Sequence, residues 1–150
     1  MNSETKKFNE RLADLNALGS AMGMMEWDQQ TYMPRGGAEA RANHLESLSR
    51  MYHELFTSDE TQDLLVKAAA VAETDVEKAN IRIVARQMAV KTKLPSELVA
   101  AKTKLAAVAH EEWVAAKANN RFSTFSDTLE KMFDIVKEEA NYLGYTDHPY

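Results

Sequence analysis

The chain has 150 residues, 45% of them hydrophobic and 27% charged, with a net charge of −5. That length and composition fit one globular domain with material for a real core, not a disordered chain. Basic residues are scattered along an acidic sequence (pI about 5.4), so no stripe for nucleic-acid phosphates forms. There are no cysteines, which removes disulfides, thiolate nucleophiles and Cys-type zinc sites and suits a reducing cytoplasm. Met1 to Lys7 leads into an amphipathic pattern, not an apolar signal sequence. The longest apolar runs, such as Leu105 to Ala109, are about five residues, against roughly 20 for a spanning helix. A soluble, cytoplasmic protein outside the membrane is expected.

Three prolines and five glycines point to long helices, and no stretch alternates long enough for a strand. The pattern predicts an all-α domain over residues 1–150, with about six helices in an antiparallel, bundle-like array. The first helix is predicted from Glu4 to about Met25. Phe8, Leu12, Leu15, Leu18, Met22 and Met25 form its apolar face. Pro34, Gly36 and Gly37 break the pattern, so Gln29 to Gly37 reads as a loop. The second helix, Ala38 to Phe56, carries Leu45, Leu48, Tyr52 and Leu55.

Thr57-Ser58-Asp59-Glu60 has the form of a capping box opening a third helix with Leu64, Leu65, Ala68 and Val71. Thr74-Asp75-Val76-Glu77 is a second box, opening a fourth helix to about Lys93. Its expected buried face is Val76, Ile83, Val84, Gln87 and Met88. Pro95 suits the entry of a fifth helix, Ser96 to Ala118, with Leu98, Leu105, Ala109 and Trp113. Phe125 and Ser126 read as a staple and N-cap for a sixth, Asp127 to Leu143. That helix is expected to bury Leu129, Met132, Phe133, Val136, Ala140 and Leu143, with Gly144 as its stop. The tail from Tyr145 to Tyr150 is irregular and reads as a chain still entering something packed.

Metal chemistry is poorly served. His53-Glu54 and His110-Glu111 begin a His-Glu-x-x-His pattern, but Thr57 and Val114 stand where the second histidine belongs. His44 and His53 share a helix but point about 180° apart. A Glu-x-x-His di-iron motif fails too, because Arg41, Arg50, Ala107 and Tyr145 precede the four histidines by three. The adjacent pairs Glu111-Glu112 and Glu138-Glu139 face different directions and read as solvated faces. Met22, Met24 and Met25 read as packing at a helix end. Gly36-Gly37 lacks the Lys and Ser/Thr of a phosphate loop. Trp27-Asp28 admits two readings. Either Trp27 fills the core while Asp28 caps or bonds loop amides, or the pair walls a binding cleft.

A set of residues carries a resemblance. Trp27-Asp28-Gln29, Met33-Pro34-x-Gly36-Gly37-x-x-x-Arg41, Leu45 and Leu48-Ser49 are similar to the N-terminal region of the thermostable carboxypeptidase Taq family. Trp113-x-x-Ala116-Lys117, Asn120-x-Phe122-x-x-Phe125, Leu129 and Tyr142-x-Gly144-Tyr145-x-x-His148-Pro149-Tyr150 continue the match in order. Arg35 departs from it, since a second proline is common there.

The resemblance implies an all-helical zinc or cobalt metallocarboxypeptidase that removes single C-terminal residues with broad specificity, disfavouring proline. It places the His-Glu-x-x-His ligands well beyond this segment, so no catalytic or metal residue carries over. Trp27, Asp28, Pro34, Gly36, Gly37 and Arg41 remain as a structural signature or a substrate-cleft wall.

The chain is therefore expected to be the N-terminal helical part of a larger enzyme. Alone it should bind no metal tightly and hydrolyse no peptide. Its partners would be the rest of its own polypeptide, peptides as substrates, and a second copy in a homodimer. The alternative is a free-standing helical module that binds peptides or proteins through the Trp27 region.

Overall fold

A computed structural model describes residues 2–149. Tyr150, which ends the tail motif, and Met1, which begins the N-terminal reading, lie outside the described residues. Six α-helices follow one another: α1 (Ser3–Thr31), α2 (Ala38–Thr57), α3 (Asp59–Val71), α4 (Asp75–Lys91), α5 (Ser96–Ala118) and α6 (Ser126–Leu143). Short 3₁₀ turns at Arg35–Gly37 and Phe122–Thr124 join α1 to α2 and α5 to α6. No strand occurs among the described residues. The all-α expectation holds.

The first helix runs six residues past the predicted end at Met25. The apolar stripe stops there, but nothing breaks the backbone until Pro34, which disfavours helix in the residue before it. The Tyr32 and Met33 amides donate to the Asp28 carbonyl and close the helix. Asn2 caps its start through a bond from the Glu4 amide.

The most extensive helix contact is between α2 and α5, and α1 lies against α2 and α3. One core cluster joins Phe8 and Leu15 of α1, Phe56 of α2, Leu65 and Ala68 of α3, and Val84 and Met88 of α4. Apolar burial stabilises such a seam by about 25 cal/mol per Å². A second, smaller cluster, Ala42, Leu45 and Ala107, packs the far end of α2 on α5 with Met22, Met25 and Val108 beside it. Met22 and Met25 thus pack at the helix end as read from sequence, whereas Met24 is exposed. The small side chains of Ala42 and Ala107 allow close approach there. Polar ties flank the α2–α5 seam: Ser49 with Thr103 at 2.8 Å and Lys104 with Glu46 at 2.9 Å.

Three local readings are corrected. The box expected on Thr57 is displaced by one residue: Ser58 is the N-cap of α3, accepting from the Thr61 amide at 3.2 Å. Thr57 stays in α2, where its hydroxyl donates to the His53 carbonyl, and Glu60 pairs with Arg11 instead of reaching back. The box on Thr74 and Glu77 forms in full, although α4 ends at Lys91 and not Lys93. Ser126 is not a cap. It is the first residue of α6, and its hydroxyl donates to the Ser123 carbonyl of the preceding turn.

Apolar faces differ from expectation at the periphery. On α4 only Val84 and Met88 of the predicted set are buried; Val76 and Ile83 are exposed, as is Gln87. On α5, Leu98 and Ala109 are buried while Trp113 is 44% exposed. On α6 only Thr128 is fully buried, and Phe133 and Val136 of the expected face are exposed. The apolar sides of these helices are thus only partly covered among the described residues. Gly144 ends α6 as predicted, in a left-handed conformation (φ 81°) that suits glycine.

Candidate functional site

The signature residues gather where α1 hands over to α2. The chain turns at Pro34, and the Gly37 amide donates to the Pro34 carbonyl at 2.8 Å. A Cβ on Gly37 would stand 3.3 Å from the Met33 side chain, so the turn is tightest at that glycine. Gly36 meets no such neighbour. The turn brings Arg41, one helical turn into α2, back against the end of α1. Its guanidinium donates to the Met25 carbonyl and, at 2.6 Å, to the Asp28 carboxylate. This fork of donors suits arginine and not lysine.

Arg41 is mostly buried and Asp28 partly so, with 16% and 40% of their side chains exposed. Asp28 therefore bonds a guanidinium, not loop amides. Trp27 does not fill the core: it is 60% exposed, with its ring edge-on to Tyr32 at 5.5 Å between centroids. Trp27, Asp28 and Arg41 are thus brought together, with Pro34, Gly36 and Gly37 forming the turn that joins them.

The residue after Asp28, Gln29, is buried and its amide Nε2 donates to the Ala107 carbonyl of α5 at 2.8 Å. Gln29 opens onto a groove of about 430 Å³ that α1, α2, α4, α5 and α6 all help to line. Glu26, Gln30, His53, Lys91, Thr103 and His110 are among its walls. None of the six signature residues lines it; they brace the helix that forms one side.

Sequence reasoning did not group these residues because they lie on four separate helices and form no motif. In the sequence His53 reads as the start of a His-Glu-x-x-His pattern that Thr57 breaks. It is buried, and its Nε2 bonds the Leu94 carbonyl at 2.8 Å. Lys91 places its ammonium 5.6 Å and 5.7 Å from the stacked rings of Tyr52 and Phe56, a cation–π seat. Burial pushes the Tyr52 hydroxyl pKa up, so it stays protonated. Lys102 and Glu139 pair across the rim between α5 and α6.

The donor set does not fit a catalytic metal. His53 is committed to a carbonyl, His44 is exposed, and His110 lies beside Trp113. No three His, Asp or Glu side chains converge among the described residues. No chemical step through a metal is derived from these residues.

Against known proteins, the carboxypeptidase Taq (M32) metallopeptidase family matches residues 7–150. Thermostable carboxypeptidase 1 of Pyrococcus furiosus is 29% identical over 150 residues, covering 99% of this chain and 30% of its own length. Carboxypeptidase 1 of Bacillus subtilis is 30% identical over 148 residues, covering 97% of this chain and 29% of its own. Among solved structures, the BsuCP crystal structure superposes with a TM-score of 0.94 at 26% identity, and the Pyrococcus furiosus carboxypeptidase with 0.74 at 28%. These cover 99% and 100% of this chain, and 30% of each solved chain. The chain spans under a third of the relatives it matches. With an all-helical fold and a family match over nearly its whole length, this chain belongs to the carboxypeptidase Taq (M32) metallopeptidase family.

Proposed function

We propose that residues 1–150 form a single helical domain, the N-terminal part of a metal-dependent carboxypeptidase that releases single residues from peptide C-termini. Specificity would be broad with proline disfavoured, and the metal would be zinc or cobalt. The carrying observation is the family match over residues 7–150, in a chain that spans about 30% of its relatives. The relatives are named as carboxypeptidases, and the family as a metallopeptidase. The sequence has no His-Glu-x-x-His, so this stretch alone would neither hold the metal nor hydrolyse peptide.

Its role in the enzyme would be to wall the substrate cleft, with the Arg41–Asp28 clamp fixing the end of α1. The uncovered faces of α4 and α6 would pack on the rest of the polypeptide, and exposed apolar surface of that kind also favours a homodimer. A cytoplasmic location fits the absence of cysteine. No described helix is long and apolar enough to cross a membrane.

The test has two arms. The gene is read past codon 150, and its product is assayed for release of C-terminal residues with and without zinc or cobalt. A frame encoding His-Glu-x-x-His, with metal-dependent release by the longer product and none by residues 1–150, is the expected result. A stop codon at 151, or a longer product that releases nothing, would sink the reading. Light scattering of the 150-residue chain should show a dimer; a monomer at high concentration refutes that part.

A second reading, a free-standing interaction module, has one observation in its favour: Trp27 is 60% exposed with Tyr32 beside it. It requires peptide or protein binding that Trp27→Ala abolishes without unfolding the chain.

A further inference from the structure

The sixth helix is attached differently from the other five. Among the described residues, both core clusters draw their members from α1 to α5, and Thr128 is the one fully buried residue of α6. Met132 and Ile135 are only half-buried. A gap of about 70 Å³ lies between them and Leu105 and Ala106 of α5, so the seam with the main neighbour of α6 is loosely packed.

The polar ties of α6 weaken along its length. Near its start the Thr128 hydroxyl donates to the Glu112 carboxylate in a partly buried setting. Further on, Glu139 pairs with Lys102 at the rim of the groove. At its end the exposed Lys93 ammonium donates to the Leu143 carbonyl at 3.0 Å. Charged ties open to solvent contribute little each and are screened by salt.

The end of α5 does not depend on α6. The Asn120 amide donates to the Lys117 carbonyl at 3.2 Å and the Arg121 amide to the Ala116 carbonyl at 2.9 Å. With Asn120 in the left-handed region (φ 51°), these are the two bonds of a Schellman stop, made entirely within α5 and its cap. An 18-residue helix is marginal in water without tertiary packing, so α6 freed from α5 would unwind.

We propose that α6 is a releasable wall of the groove: it leaves α5 and unwinds as one unit while α1 to α5 stay folded. Release carries Glu139 away from the groove and leaves Lys102 unpaired on its rim, so the groove opens on that side. This device rests on burial and packing and does not depend on the carboxypeptidase reading.

Native-state hydrogen exchange of the 150-residue chain, read amide by amide, tests it. The α6 amides from Met132 to Leu143 should share a common protection factor, on the order of 100-fold below that of the slowest α2 amides. Urea below the unfolding transition should speed the α2 amides more steeply than those of α6, because opening α6 exposes less surface. Raising salt from about 0.05 M to about 0.5 M should speed α6 exchange roughly twofold to fivefold and leave α2 unchanged. Glu139→Gln should speed α6 by a similar factor and blunt that salt response.

Protection in α6 equal to that in α2 would overturn the proposal. So would protection that falls gradually towards Leu143 with no common value, which is fraying and not release. An equal urea dependence, or a response to salt or to Glu139→Gln that α2 shares, would show that α6 opens only with the whole domain.

Discussion

Replacing Arg41 with methionine keeps most of the apolar stem and removes all the donors. Two contacts then go: the bond to the Met25 carbonyl and the charged bond to Asp28. A hydrogen bond to a charged group contributes about 1.5–3 kcal/mol, and a neutral one about 1. Asp28 keeps 40% of its side chain in water, so its carboxylate recovers hydration and the ionic share falls to the low end or below. The sum is about 2 kcal/mol, or a fall in Tm of ~4–8 °C for a domain of this size. Arg41→Lys should recover less than half, because an ammonium cannot reproduce the fork that reaches both partners.

The discriminating assay is a double-mutant cycle with Asp28→Asn, read by thermal or urea unfolding. The coupling should be about 0.5–1 kcal/mol. A coupling of zero, or a Tm for Arg41→Met within a degree of the parent, would show that the clamp does not hold α1 to α2.

Other consequences follow from the same contacts. Leu15 is 2% exposed in the principal core, so Leu15→Ala should cost about 2–5 kcal/mol by lost burial and a residual cavity, read as a lower urea midpoint. Glu77 accepts from the Thr74 and Glu73 backbone amides and the Thr74 hydroxyl, which holds its carboxyl below the ordinary 4.5. Its folded pKa is depressed, so its contribution is present above 4.5 and is lost as pH falls through the folded value. Glu77→Gln should flatten the acid limb of α4 unfolding, and an unchanged limb would refute that role. Trp27 is 60% and Trp113 44% exposed, so the chain's tryptophan emission should lie towards the solvated-indole wavelength and be quenched by iodide. Blue-shifted, iodide-resistant emission would contradict that exposure.

What the sequence made legible was periodicity and punctuation. Phe8, Leu15, Leu45, Leu65 and Leu98 are buried where a helical repeat put them, and the Thr74–Glu77 box forms because both halves of its chemistry are local. The Thr57 box did not form, because Glu60 found Arg11, 49 positions earlier in the chain, and no local rule carries that pairing. The end of α1 was misplaced for a related reason. Six residues beyond the apolar stripe are held helical by side chains from elsewhere, Arg41 on Met25 and Asp28, and by Gln29 on Ala107.

Periodicity also identifies an apolar face without saying what covers it. Phe133 and Val136 on α6, Ile83 on α4 and Trp113 on α5 obey the repeat yet stand exposed. The two outcomes have one physical cause. Residues of α1, α2 and α3 meet their partners within these six helices, so pattern and burial agree there. The outer faces of α4 to α6 have pattern but no partner among the described residues. Burying them needs further surface, from more polypeptide or from a second copy. The groove escaped sequence reading because its polar walls, Glu26 and Gln29 of α1, His53 of α2, Lys91 of α4 and Thr103 and His110 of α5, are scattered along the chain and meet only through helix packing.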